Sequence, residues 1–328
     1  MMDGEARAQE LRVESGPVRP SAEVIRHVIE NLRRVMHAPD ETLSLATLCL
    51  VAEGHLIIED FPGVGKTTLA KTLARSVGCS FSRIQFTPDL LPSDVTGVNV
   101  FNQRSNEFEF RAGPVFANLL LIDEINRASP KTQAALLECM QEGQVTVDGV
   151  SYRLDLPFMV MATQNPIEYE GTYPLPEAEL DRFSMRISIG YPPLAEEARM
   201  LSEQTSEEPL ESLGAVATAE EIMGAIEDAR NVYVEDSLTR YVVALVRQTR
   251  ADTRLYLGAS PRAGIALLRV AKARALCAGR DYVVPDDVKA IAPVVLGHRL
   301  ILAPEARSSG LAAEDLVRDV VERTPVPV

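Results

Sequence analysis

The chain predicts an α/β fold: a parallel five-stranded sheet with inserted β-hairpins, followed by a small, mostly helical domain. Three observations carry that expectation. Short apolar runs alternate with segments long enough for crossover helices. Two stretches read as strand, polar turn, strand. Beyond the segment "IGYPPLAEEARM" the strand pattern gives way to amphipathic helices with good start signals.

Taken in order, residues 1–20 are acidic, polar and proline-containing and are expected to be disordered. Ser21 is placed to cap a helix carrying Val24, Ile25, Val28, Ile29 and Leu32 at three- and four-residue spacing. A second helix is expected over about Thr42 to Ala52, leading into the apolar strand "HLIIE". Four more strands are expected at 81–86, 118–123, 158–163 and 184–189. The hairpins fall at 97–113 and 143–157, the second with Asp148-Gly149 at its tip, a dipeptide that suits a tight two-residue turn. The helical part opens on the capping box Thr218-x-x-Glu221, then on Asp236, Ser260-Pro261 and Pro285-Asp286. The domains are expected at 21–192 and 193–322, with a flexible tail at 323–328.

A chain of 328 residues is long for one core and comfortable for two domains. Its 46% hydrophobic and 24% charged content is globular, and no stretch is apolar for long enough to span a bilayer. The N-terminal stretch lacks the build of a secretory signal, which leaves a cytoplasmic location as the default. Cys49, Cys79, Cys139 and Cys277 are scattered without a C-x-x-C pair, so reduced thiols are expected rather than disulfides or zinc. A formal charge of -14 disfavours DNA or RNA as the main partner, because nucleic-acid binding draws on a broad cationic surface.

The chemistry concentrates after "HLIIE". There a strand runs into Asp60-Phe61-Pro62-Gly63-Val64-Gly65-Lys66-Thr67-Thr68 and opens a helix. Backbone N–H groups and the positive helix end then converge on one point, an arrangement suited to phosphates. The sequence departs from the G-x-x-x-x-G-K-[ST] pattern at its first position, where Asp60 stands for glycine. Aspartate tolerates a left-handed backbone better than most residues, so the turn is expected to survive. A second element, "LLLIDE", is an apolar strand ending in Asp123 and Glu124. Asp123 is placed to hold the water shell of Mg²⁺ and Glu124 to polarise a water for in-line attack. The strand "MATQNP" ends on Asn165, whose amide suits orientation of that water.

Together "EDFPGVGKTTLA", "RIQFTPDLLPSDVTG", "GPVFANLLLIDEINRASPKTQAALLECMQEGQVTVDG", "MATQNPIEYEGTYPLPEAELDRF" and "GASPRA" resemble the MoxR family of AAA+ ATPases, from about residue 22 to near 320. The resemblance implies ATP and Mg²⁺ as ligands, with Lys66 on the β- and γ-phosphates, Thr67 on the metal, and Gly63 and Gly65 allowing close backbone approach. It implies Asp123 and Glu124 as the Walker B pair and Asn165 as sensor 1. Arg182 in "AELDRF" would be an arginine finger acting on a neighbouring subunit, with Arg127 in "DEINRA" the competing candidate. Arg262 in "SPRA" would be sensor 2. A trans-acting finger implies a homo-oligomeric ring, a hexamer by resemblance, with the hairpins facing its pore or one rim. The implied activity is chaperone-like remodelling or maturation of a protein client in an enzyme complex, in some members with a partner that carries a von Willebrand factor A domain. The alternatives are a DNA-remodelling motor, the ATPase subunit of a metal-chelatase-like machine, and a ring without turnover. The hairpin tips offer only Arg104 against Glu107 and Asp148, which counts against the DNA-remodelling motor.

Overall fold

The computed structural model describes residues 20–166, 173–192, 194, 196–198 and 210–326. The expectations for residues 1–19, the proposed boundary at 193 and the last two residues of the tail lie outside these. Two helices, α1 (Pro20–Arg33) and α2 (Asp40–Val51), precede the sheet. Strand β1 (Leu56–Glu59) runs through the loop into α3 (Lys66–Ser76). Then follow β2 (Phe81–Gln85), the short α4 (Pro92–Thr96), the hairpin β3 (Gly97–Asn102) and β4 (Glu107–Ala112), and the central strand β5 (Leu119–Asp123). Helix α5 (Pro130–Glu142) leads to a second hairpin, β6 (Gln144–Val147) and β7 (Val150–Arg153), and to β8 (Met159–Gln164). One turn of helix, α6 (Glu177–Leu180), precedes the edge strand β9 (Met185–Ile187).

The five strands order as β2-β5-β8-β1-β9, all parallel. Alternate residues of each strand go to opposite faces, so both faces must be covered. Leu56, Ile58, Leu119, Leu121, Met159 and Met161 join one buried cluster, and Ile57, Leu120, Ile122, Val160 and Ala162 the other. The hairpins lie where the sequence places them. At the second tip Asp148 and Gly149 both take positive φ, 50° and 81°. The hairpins also touch: Asn99 Nδ2 donates to Asp148 Oδ2 at 2.7 Å, and Phe110 stacks on Tyr152 with centroids 4.1 Å apart.

The C-terminal part contains α7 (Ala219–Arg230), α8 (Asp236–Ala251), α9 (Pro261–Cys277), α10 (Pro285–Leu296), α11 (Pro304–Ser308) and α12 (Ala313–Arg323). The Thr218/Glu221 capping box forms, and Ser260 caps α9 by accepting from Ala263 N–H. Two expectations are corrected. Strands do not stop before this part: β10 (Leu255–Leu257) pairs antiparallel with β11 (Ile301–Leu302). Strands this short carry no alternation to read. Ser21 does not cap α1: the helix already begins at Pro20, and the Ser21 hydroxyl donates to Asp228 Oδ2 on α7 at 2.6 Å.

Helices α1–α3 and α7–α10 share the buried cluster on one sheet face, so the helical part packs as an extension of that face. All four cysteines are free. Burial pushes the Cys139 thiol up to about 12 and Cys79 to about 11, which keeps both protonated at neutral pH.

His55, just before β1, is buried between strands and α5. Its Nδ1 accepts from Val160 N–H at 3.0 Å and its Nε2 lies 3.1 Å from Met140 O, an arrangement that needs the neutral ring. Burial lowers its pKa to about 4. The folded state therefore binds fewer protons than the unfolded chain below about pH 6.5, and stability is lost as pH falls toward 4. His298, pushed well below 6.5 by burial, acts in the same direction. Urea unfolding at stepped pH should show about 2–3 kcal/mol lost to His55 alone between pH 6.5 and 4.5, and a His55→Asn chain should show a correspondingly shallower slope.

Candidate functional site

The C-terminal ends of β1, β5 and β8 meet the start of α3 around a cleft of about 400 Å³, where ligands sit in open parallel sheets. The loop after β1 supplies Pro62, Gly63 and Gly65 to its lining, and the first turn of α3 supplies Lys66, Thr67 and Thr68. Gly63 and Gly65 take φ of 85° and 92°, conformations costly for any residue with a Cβ. Lys66 Nζ donates to the carbonyl of Asp60, curling the loop over itself. Val64 faces the other way, packed against the core, and Asp60 is not among the lining residues. Nor is Asp60 left-handed, so the expected reason for its tolerance is wrong.

The opposite wall comes from strand ends. Asp123 closes β5, and its carboxylate accepts from Arg83 Nε of β2 at 2.6 Å and from Thr163 Oγ1 of β8 at 3.3 Å. Glu124 follows in a left-handed conformation, φ 57° and ψ 56°, rare for a residue with a side chain and characteristic of functional turns. Its N–H donates to Thr163 Oγ1 at 2.9 Å, while its Oε2 accepts from Gln85 Nε2 at 2.7 Å and pairs with Arg127 Nε at 3.1 Å. Asn165, one residue past β8, completes the lining. Strand order explains the convergence: β5 lies between β2 and β8, so its carboxylates meet polar side chains from both neighbours.

The donor set suits a nucleotide with a hard cation. One loop of N–H groups and a lysine fits phosphate oxygens, and a threonine hydroxyl with one carboxylate fits Mg²⁺, which keeps most of its coordination for water and phosphate. Among the described residues no cluster of three or more His, Cys, Asp or Glu could hold a metal by itself.

Arg182 and Arg262 do not line this cleft. Arg182 sits in the turn between α6 and β9, its Nε buried without a hydrogen-bond partner among the described residues. Arg262 is exposed in the first turn of α9. The two positions are nevertheless linked: Asp181 accepts from Ser260 Oγ and from Arg299 Nε, both at 2.8 Å. Sequence reasoning missed Arg83, Gln85, Thr163, Asp181 and Arg299. The first two had a signal, two polar residues at i and i+2 on one face of β2; the last two, 118 positions apart, had none.

Comparison with known proteins agrees with this geometry. A model of the ATPase family associated with various cellular activities matches residues 55–185, and one of the AAA lid domain matches 247–320. A crystal structure from Cytophaga hutchinsonii, assigned as an ATPase, superposes with a TM-score of 0.87 at 38% identity, covering 94% of this chain and 96% of that one. The fold is that of an AAA+ ATPase. Chaperone MoxR1 of Mycobacterium tuberculosis is 41% identical, covering 92% of this chain and 82% of its own. The protein called YeaC of Bacillus subtilis is 51% identical, covering 92% and 94%. This chain belongs to the MoxR family and hydrolyses ATP.

Thr163 joins the two carboxylates, accepting from one residue's backbone and donating to the other's side chain. Thr163→Val keeps the shape and removes the hydroxyl, leaving Glu124 N–H without its acceptor. Thermal or urea unfolding should show a loss of about 1–3 kcal/mol, and ATP hydrolysis should slow more than nucleotide binding weakens.

Proposed function

We propose that ATP is hydrolysed with Mg²⁺ at interfaces between copies of this chain in a ring, a hexamer, and that turnover remodels a protein client. The observation that carries the interface reading is the disposition of the arginines. Among the described residues that line the cleft Arg83 is the only arginine, and it is committed to Asp123. Arg127 pairs with Glu124 of its own chain, which favours Arg182 as the finger supplied to a neighbour.

In this reading Gly63, Val64 and Gly65 present backbone N–H groups to the phosphates, Pro62 stiffens the loop, and Lys66 neutralises the β- and γ-oxygens. Thr67 and Asp123 would hold Mg²⁺, which would supply positive charge against the phosphates; Thr68 adds a hydroxyl on the first helical turn. Glu124 accepts a proton from a water that Asn165 orients. The water oxygen bonds to the γ-phosphorus as the bond to the β,γ-bridging oxygen breaks, releasing ADP and phosphate. Arg182 of a second copy and Arg262 stabilise the charge spread over the transferred group.

The net charge of -14 supports a protein client over a nucleic acid, and a cytoplasmic setting and a von Willebrand factor A domain partner remain part of the proposal. Among the described residues no helix is long and apolar enough to cross a membrane.

Steady-state hydrolysis measured across a wide range of protein concentration, with mass determined in parallel, tests the interface. Specific activity should rise as the ring assembles; equal activity per chain for a monomer would refute it. Arg182→Ala should keep nucleotide binding and lose about a thousandfold or more in turnover.

Lys66→Ala should abolish binding, whereas Glu124→Gln should bind normally and lose at least about a hundredfold in kcat. Wild-type turnover in the Glu124→Gln chain would remove Glu124 from the role of base.

A further inference from the structure

The residue that breaks the glycine pattern of the loop carries its own set of bonds. Asp60 directly follows β1 and is buried. Its Oδ2 accepts from Ser188 Oγ at 2.9 Å and from the N–H groups of Ile189 and Gly190, each at 2.7 Å. Its Oδ1 accepts from Phe61 N–H at 2.8 Å. Burial works to raise the pKa of this carboxyl, yet the donors from Gly190, Ser188, Phe61 and Ile189 outweigh it and hold the group below its ordinary value.

The neighbouring residues repeat the connection. Glu59 Oε2 accepts from Arg186 Nη1 at 2.7 Å, and Arg186 also binds Glu314 of α12. On the other side the Phe61 ring stacks on Tyr191, with centroids 6.1 Å apart and planes 16° from parallel. Three consecutive residues at the loop entrance therefore grip the segment 186–191, which carries the chain out of β9.

We propose that Asp60 is a positioning residue whose carboxylate clamps the entrance of the phosphate loop onto residues 188–190, so that the loop is held in its receiving shape without the pattern's first glycine. The inference rests on reading the cleft as a nucleotide site. A glycine at this position frees the backbone and leaves the amides of Ile189, buried, and Gly190, half-buried, short of an acceptor. The loop then has to be ordered by the incoming phosphates, and binding weakens by that cost. The departure from the pattern thus strengthens the cradle.

The test is titration of the full chain with fluorescent mant-ADP and Mg²⁺, alongside ATP hydrolysis, for wild type, Asp60→Gly, Asp60→Asn and Ser188→Ala. Asp60→Gly, although it restores the general pattern, should weaken mant-ADP binding by about tenfold or more. Asp60→Asn should fall between it and wild type, because one amide oxygen still serves the Oδ2 donors while its NH₂ faces Phe61 N–H. Ser188→Ala, which removes one of the four donors, should cost about two- to threefold. KM should rise in the same order and by more than kcat falls, since the carboxylates and Asn165 stand on other strands. Binding by Asp60→Gly as tight as wild type or tighter, or a fall in kcat at unchanged KM, overturns the clamp. If Asp60→Gly fails to fold, an unchanged KM in Ser188→Ala overturns it instead. If wild type itself binds no mant-ADP, the nucleotide reading fails and takes the clamp with it, an outcome distinct from wild-type binding with indifferent variants.

Discussion

The guanidinium of Arg299 holds together the part of the molecule that the site leans on. It is buried, and its Nε donates to Asp181 Oδ1 at 2.8 Å. Its remaining donors reach the carbonyls of Asp181, Phe183, Ser184 and Val295. A buried charge is tolerable only when paired and fully hydrogen-bonded, and a planar fork with five donors does that where a lysine could not. The turn 181–184 is thereby fixed to the end of α10, and β9, which starts at its close, is fixed with it. Because Asp181 also takes the hydroxyl of Ser260, the same ion pair sets where α9 begins. Arg182 directly follows Asp181 and Arg262 stands two residues past Ser260, so this ion pair helps to set the spacing of the two arginines.

A similar economy operates on the other side of the sheet. β5 is fully buried along its length, and only its last residue meets solvent-facing chemistry. The carboxylates there are disciplined by their neighbours: Arg83 and Thr163 hold that of Asp123, while Gln85 and Arg127 hold that of Glu124, whose backbone N–H donates to Thr163. Two adjacent acids at a strand end repel each other and would otherwise swing freely. The left-handed backbone at Glu124 turns its side chain away from the strand axis, and the strain is held by the Thr163 hydroxyl on one side and the sheet on the other.

What was legible in the sequence follows from which signals are local. The central strands β1, β5 and β8 stood out because a strand covered on both faces must be apolar almost throughout, and the edge strands β2 and β9 through apolar residues alternating with polar ones. The hairpins stood out through alternation and, in the second, the Asp-Gly tip. The loop lysine, the acidic pair and Asn165 were legible because each closes a readable strand or opens a readable helix. Ser260 was legible as the cap of its helix, but its bond to Asp181, and the pairing of Asp181 with Arg299, were not, since they arise only when residues 79 and 118 positions apart come together. Strands β10 and β11 were lost for the opposite reason: they are too short to show a period. Asp60 was visible but misread, because a pattern position names the residue a loop usually needs and is silent about a carboxylate that meets its partners on another strand.

The hairpins extend this reasoning from the site to the surface. Each alone is a two-stranded ribbon, an arrangement with little stability of its own in water. Here they brace one another through the Asn99–Asp148 bond and the stacked rings of Phe110 and Tyr152, with Phe116 packed edge-on to Phe110 from the segment entering β5. The exposed pair Phe101 and Phe108 sits on the outer part of the first hairpin. Phe116 precedes the start of β5, at the opposite end from Asp123 and Glu124, so a shift of the whole strand along its axis would be passed to the first ribbon and through it to the second. That shared packing links the strand that ends in Asp123 to the exposed rings of Phe101 and Phe108.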